Sequence, residues 1–160
     1  MADFVLYKED VERIQKSLSH LLTESAATYV MLINKDGNLI AHVGFNPSID
    51  ATSLAALAAG SFASTRAIAA LIGETEFSVM FHQGAKENIH ISLIDEDAIM
   101  VLIFDDRTNL GLVKMVAAQG KSKLVEILMD VRGNQFSGLD DSGGGGPGVS
   151  DRIDSMFGKI

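Results

Sequence analysis

The chain contains no cysteine. Disulfides, thiolate metal sites, iron–sulfur clusters and cysteine nucleophiles are therefore excluded, and the lack of thiols fits a reducing compartment. Cations are sparse: 13 Lys and Arg against 21 Asp and Glu leave a net charge of −8, with no dense basic patch. Affinity for a phosphate backbone comes from clustered cations, so a protein is expected as partner before a nucleic acid. No uninterrupted apolar run approaches the roughly 18 to 20 residues needed to cross a bilayer. The first residues also lack a basic flank followed by a hydrophobic stretch and a small-residue cleavage site. A cytoplasmic protein with no membrane association is the expectation.

Apolar residues are plentiful, at 47% of 160 residues, which suits one domain with a sizeable core. Val11, Ile14, Leu18, Leu21 and Leu22 fall at helical spacing and predict an amphipathic helix over residues 8–25. "TYVMLIN" and "NLIAHVG" flank Lys35-Asp36-Gly37-Asn38 and predict a hairpin. "FSVMFHQG", "NIHISLI" and "AIMVLIF", separated by short polar pieces, predict an antiparallel meander. Tyr29 to Ile33 and Ala98 to Phe104 are continuously apolar, so they should be central strands covered on both faces. A last helix follows from Leu110, Val113, Ala117, Leu124, Ile127, Leu128 and Val131, with Thr108 as its cap. The expected class is α+β: a five-stranded antiparallel sheet with helices on both faces, in the order α-β-β-α-β-β-β-α.

The domain is expected to span residues 5–132. Residues 133–148, "GNQFSGLDDSGGGGPG", read as a flexible linker with a coil span of roughly 20 to 24 Å. Val149, Ile153, Met156, Phe157 and Ile160 then predict a short amphipathic helix over 149–160.

The helix expected over residues 51–73 is unusual, because from Ala55 through Ala67 its only large side chains are Leu57, Phe62 and Arg66. Placed at 100° per residue, Leu54, Leu57, Ile68, Leu71 and Ile72 cluster on one side, which should pack on the sheet. The opposite side carries Ala56, Ala59, Gly60, Ala63, Ala67 and Ala70, where a monomer would present Lys, Glu or Gln. Burial all round within the domain is the alternative, but two other helices are needed on the far side of the sheet. Small residues allow another backbone to approach closely, and an uncharged exposed patch commonly marks an interface. The "EFSVMFHQG" strand, if it lies at the sheet edge, has no Pro, bulge signal or Lys to deter pairing with a second chain.

The element order, the "VMLINKDGNLIAHVG" hairpin, the helix "SLAALAAGSFASTRAIAALIGE" and the junction "VLIFDDRTNLGLVKM" together resemble the Roadblock/LC7 family over about residues 5 to 132. The start "FVLYKEDVERI", the "FHQG" of the third strand and the tail are similar to a subgroup that regulates a small bacterial Ras-like GTPase. The resemblance implies a profilin-like fold and a homodimer with paired third strands and antiparallel second helices, engaging Phe77, Val79, Phe81, Ala59 and Ala70. It implies that one GTPase sits across the second helices, against Ala56, Gly60, Ala63 and Ala67, and is stimulated to hydrolyse GTP. It further implies a role in polarity or motility, with a polar location in the cell. In this mechanism the regulator has no active site or cofactor of its own and positions the GTPase's switch loops. The alternative is an arginine finger, for which Arg66 and Arg107 are the candidates; such a group contributes about 10³ to 10⁵ in rate. In related proteins a tail helix binds the GTPase at a second site and promotes nucleotide exchange, for which Ile153, Met156 and Phe157 are the expected contacts. Folding back on the domain, or disorder, stands beside that reading.

Other signals are weaker. His42, His82 and His90 lie on strands without an identifiable third metal ligand. "GGGGPG" lacks the Gly-Lys-Ser/Thr of a phosphate loop. Asp95, Glu96, Asp97, Asp105 and Asp106 read as solvated turns. Two other functions are compatible with the sequence: a Roadblock-type scaffold for a motor or signalling complex, and a sensor domain with an internal ligand pocket.

Overall fold

The computed structural model describes residues 6–141. Its elements are α1 (Lys8–Ser25), β1 (Tyr29–Asn34), β2 (Leu39–Gly44), α2 (Ala51–Leu71), β3 (Val79–Gln83), β4 (Asn88–Leu93), β5 (Ala98–Phe104) and α3 (Leu110–Asp141). The strands form one antiparallel sheet, as the sequence patterns predict, in the order β2-β1-β5-β4-β3, with β1 and β5 central. Residue 5 and the predicted tail helix, with Ile153, Met156 and Phe157, lie outside the described residues.

Every residue of β5 is buried, and so are Tyr29–Ile33 of β1. Strand side chains alternate between faces, so each of these two strands feeds two cores. Val30, Leu32, Met100, Leu102 and Phe104 pack with Ile14, Leu18 and Leu21 of α1 and Val113, Leu124 and Leu128 of α3. On the other face Met31, Ile33, Ile99, Val101 and Ile103 meet α2 through Ala55, Ala58, Ala59 and Phe62, the one helix among the described residues on that side. Two helices thus cover one face and a single helix the other.

Local chemistry fixes the ends. The β1–β2 turn is held by Asn34, whose side-chain oxygen accepts from the Asp36 and Asn38 amides at 3.0 and 2.9 Å, while Gly37 adopts φ +91°. α1 ends at Ala26, a non-glycine residue in the left-handed region at φ 55°. The carboxylates at the strand ends are structural: Asp95 Oδ1 accepts from the Asp97 and Ala98 amides, both at 2.9 Å, and its Oδ2 lies 2.8 Å from Arg132.

α3 departs from expectation at both ends. Its cap is Asn109 rather than Thr108, because the Asn109 side chain accepts the Leu112 amide at 2.9 Å and its carbonyl accepts the Val113 amide at 3.1 Å. The helix also continues through residues 133–141, which were read as linker. Gly133 and Gly138 are the helix breakers in this stretch, and each costs about 1 kcal/mol, too little to stop a helix already running.

Candidate functional site

α2 begins at Asp50, whose carboxylate accepts from the Thr52 and Ser53 amides at 3.1 and 3.3 Å and from the Ser53 hydroxyl at 3.0 Å. These bonds favour the ionised cap, those from Ser53 most strongly, and hold its pKa below the usual carboxylate value. The helix then runs 21 residues with Arg66 as its one charge. It has the length and hydropathy to cross a membrane, although no uninterrupted apolar run announces this. Here it serves as one layer of the domain.

The buried stripe of α2 is Ala55, Ala58, Ala59, Phe62 and Ala69. This overturns the expected division of faces. Leu57, Ile68, Leu71 and Ile72, assigned to the sheet, are 72%, 59%, 87% and 79% exposed. Ala59, assigned to a dimer contact, is buried in the protomer. The sheet face under α2 already carries Met31, Ile33, Ile99, Val101 and Ile103, so the helix fits against it with alanines. Phe62, the single aromatic residue of the helix, lies at the centre of the inward stripe and is the sequence signal for it.

Ala56, Gly60, Ala63, Ala67 and Ala70 are exposed, as expected. α2 therefore shows the solvent both a small-residue stripe and a bulky aliphatic one. Two positions in the small stripe differ. A Cβ built on Gly37 would stand 2.9 Å from the Ala56 Cα, so the β1–β2 turn already packs on the helix there. A Cβ built on Gly60 would meet nothing within 4 Å.

β3 is the sheet edge, and Val79 and Phe81 are 41% and 36% exposed. The Phe81 ring stacks on Phe104 with centroids 6.1 Å apart. Phe77 precedes the strand and is half-buried, its ring 6.1 Å from Phe62, which ties the approach to β3 to α2. The Ser78 carbonyl accepts the Leu93 amide, and the Gly84 amide donates to the Glu87 carbonyl. By alternation, the backbone groups of Val79, Phe81 and Gln83 point away from β4, toward the open edge.

The candidate arginine fingers differ as well. Arg107 is clamped on Asp105, with Nε 3.0 and 3.1 Å from its two oxygens and Nη2 2.8 Å from Oδ2. Arg66 is exposed, with no ion pair among the described residues. His82 pairs with Ile89 and His90 with Phe81, which puts the two histidines on opposite faces of the sheet. No group of three metal-ligating side chains occurs among the described residues.

An antiparallel sheet with an open β3 edge, two helices behind it and one small-residue helix in front defines an α+β domain of the profilin-like kind. The chain belongs to the Roadblock/LC7 family, whose domain profile matches residues 13–104. It is similar in structure to MglB of Myxococcus xanthus, at 37% identity over 79% of this chain and 96% of that one, with a TM-score of 0.74. It is also similar to the gliding protein MglB of Thermus thermophilus, at 32% identity, 81% and 98% coverage and a TM-score of 0.73. An MglB with a tetrameric arrangement gives 32% identity, 82% and 98% coverage and a TM-score of 0.76. A search of curated proteins returned no match.

Proposed function

We propose that this chain is a homodimeric activator of a small Ras-like GTPase of the MglA type, acting in cell polarity or motility from the cytoplasm, with a polar location. The reading rests on one observation above the others. Gly60 sits in mid-helix, in open space, on the small-residue stripe of α2. A helix-interior glycine lowers stability, and its own domain has no steric need for it. It suits the close approach of another chain. The likeness to MglB supplies the kind of partner.

In this reading the GTPase docks across Gly60, Ala63 and Ala67 and is activated by positioning of its switch loops. The Asp105 clamp on Arg107 supports positioning over insertion of an arginine from that loop. The regulator itself holds no cofactor and contributes no catalytic residue.

Single-turnover GTP hydrolysis by the cognate GTPase, with and without this protein, tests the proposal. A rate increase that is lost in Gly60→Arg, with the variant still folded by circular dichroism, is the expected result. An unchanged rate in the presence of tight binding would instead make the protein a scaffold. Ala56→Arg is the poorer probe, because it would also disturb the β1–β2 turn.

A further inference from the structure

On the sheet face opposite α2, a cleft of about 240 Å³ lies between α3 and the outer strands. Ser78 and Val79 border it on the open edge, His90 and Ser92 belong to β4, and Lys114 and Lys121 come from α3. His90 is 2% and Ser92 7% exposed, and neither His90 Nδ1 nor Ser92 Oγ has a hydrogen-bond partner among the described residues. Buried polar groups are nearly always satisfied, so two orphans in neighbouring register on one strand, on residues that line one cleft, call for an explanation. The two lysines give the cleft a positive character in a chain of net charge −8. Burial, and after it the charge of Lys114, holds the His90 pKa below the usual histidine value, so the imidazole is neutral at pH 7.

We propose that this cleft binds a carboxylate group. Ser92 Oγ–H and His90 Nδ1–H donate to its two oxygens, and the ammonium groups of Lys114 and Lys121 more than offset its single charge. A phosphate is a poorer fit: its additional oxygens are usually met by arginine forks or a run of backbone amides, and no arginine is among the described residues that line the cleft. The carboxylate comes either from a small free acid or from the Asp or Glu side chain of a chain lying along the β3 edge, where Ser78 and Val79 border the opening. The site is separate from α2 and does not depend on the GTPase reading.

The test is NMR of the His90 ring in the full-length protein, first on dilution and then on titration with sodium acetate, sodium phosphate or sodium chloride at matched ionic strength. A saturable shift with acetate that chloride does not produce identifies a free-acid site. A shift that disappears on dilution without any added acid, and that acetate restores, identifies a side chain from a second chain. In either case the apparent affinity should fall by about ten-fold or more in Lys114→Met/Lys121→Met, which keeps the helix propensity of both positions. Equal responses to all three anions, a preference for phosphate, or a His90 ring that responds to neither anions nor dilution would overturn the proposal.

Discussion

A glycine inside a helix costs roughly 0.5–1 kcal/mol relative to alanine, and at Gly60 the room for a methyl group is open. Gly60→Ala should therefore raise the unfolding free energy of the isolated protein by about that amount in urea melts. The same change should weaken partner binding if a backbone must approach at this point. A variant that is less stable than the parent would mean that the protomer itself requires this glycine. His90 allows a second prediction at a single side chain. Its surroundings are Lys114 and Lys121 from α3, Ser92 on its own strand and Phe81 across the ladder, with no carboxylate among them. Its folded pKa lies below the unfolded value near 6.5, so between the two the unfolded chain binds more protons. Its stabilising contribution is complete above about pH 6.5 and is lost as pH falls from there toward the folded pKa. Urea melts at pH 7.5, 6.5 and 5.5 should show a decline that is shallower in His90→Gln. Parallel pH profiles for the two proteins would contradict this assignment.

The two central strands were legible in the sequence because burial on both faces leaves no place for a polar side chain. Continuous apolar runs marked β1 and β5, whereas β4 buries the polar His90 and Ser92 more fully than the neighbouring Ile89 and Leu93, because α3 covers that face. α2 was legible as a helix but not in its orientation. Hydrophobicity ranks Leu57 and Ile68 above Ala55 and Ala58, yet packing against a face of Met, Ile and Val selects small residues, and this depends on the sheet, which the helix sequence does not contain. Glycines show the same dependence on context. Gly120 of α3 resembles Gly60 in sequence terms, since each sits among good helix formers. A Cβ at Gly120, however, would overlap the Leu21 side chain of α1. Gly120→Ala should therefore gain up to about 1 kcal/mol of helix propensity but lose about 1–3 kcal/mol to overpacking. The expected net loss is about 1 kcal/mol in a thermal or urea melt, opposite in sign to Gly60→Ala. Equal signs would show that α1 and α3 can separate to admit the methyl group.

For the assembled protein, two exposed features require cover together: the aliphatic stripe Leu57, Ile68, Leu71 and Ile72, and the β3 edge with Val79 and Phe81. The chain leaves the end of α2 at Leu71 and reaches β3 at Val79, with Phe77 seated on Phe62 between them. Edge-to-edge pairing of two copies of β3 would satisfy the outward amides and carbonyls of Val79, Phe81 and Gln83, and the same act would bring the two α2 helices side by side. Gln83→Pro tests this pairing selectively. The Gln83 amide points away from β4, so proline removes no bond from the β3–β4 ladder while it blocks the open edge. Light scattering coupled to size exclusion should report a dimer for the parent protein and a monomer for Gln83→Pro, with far-ultraviolet circular dichroism unchanged. In the proposed reading a GTPase seated across two α2 helices requires both copies, so the monomeric variant should also lose stimulation of hydrolysis even though Gly60, Ala63 and Ala67 are intact. A variant that stays dimeric would move the interface from the β3 edge to α2 alone, and a monomer that retained full stimulation would confine the GTPase contact to a single protomer.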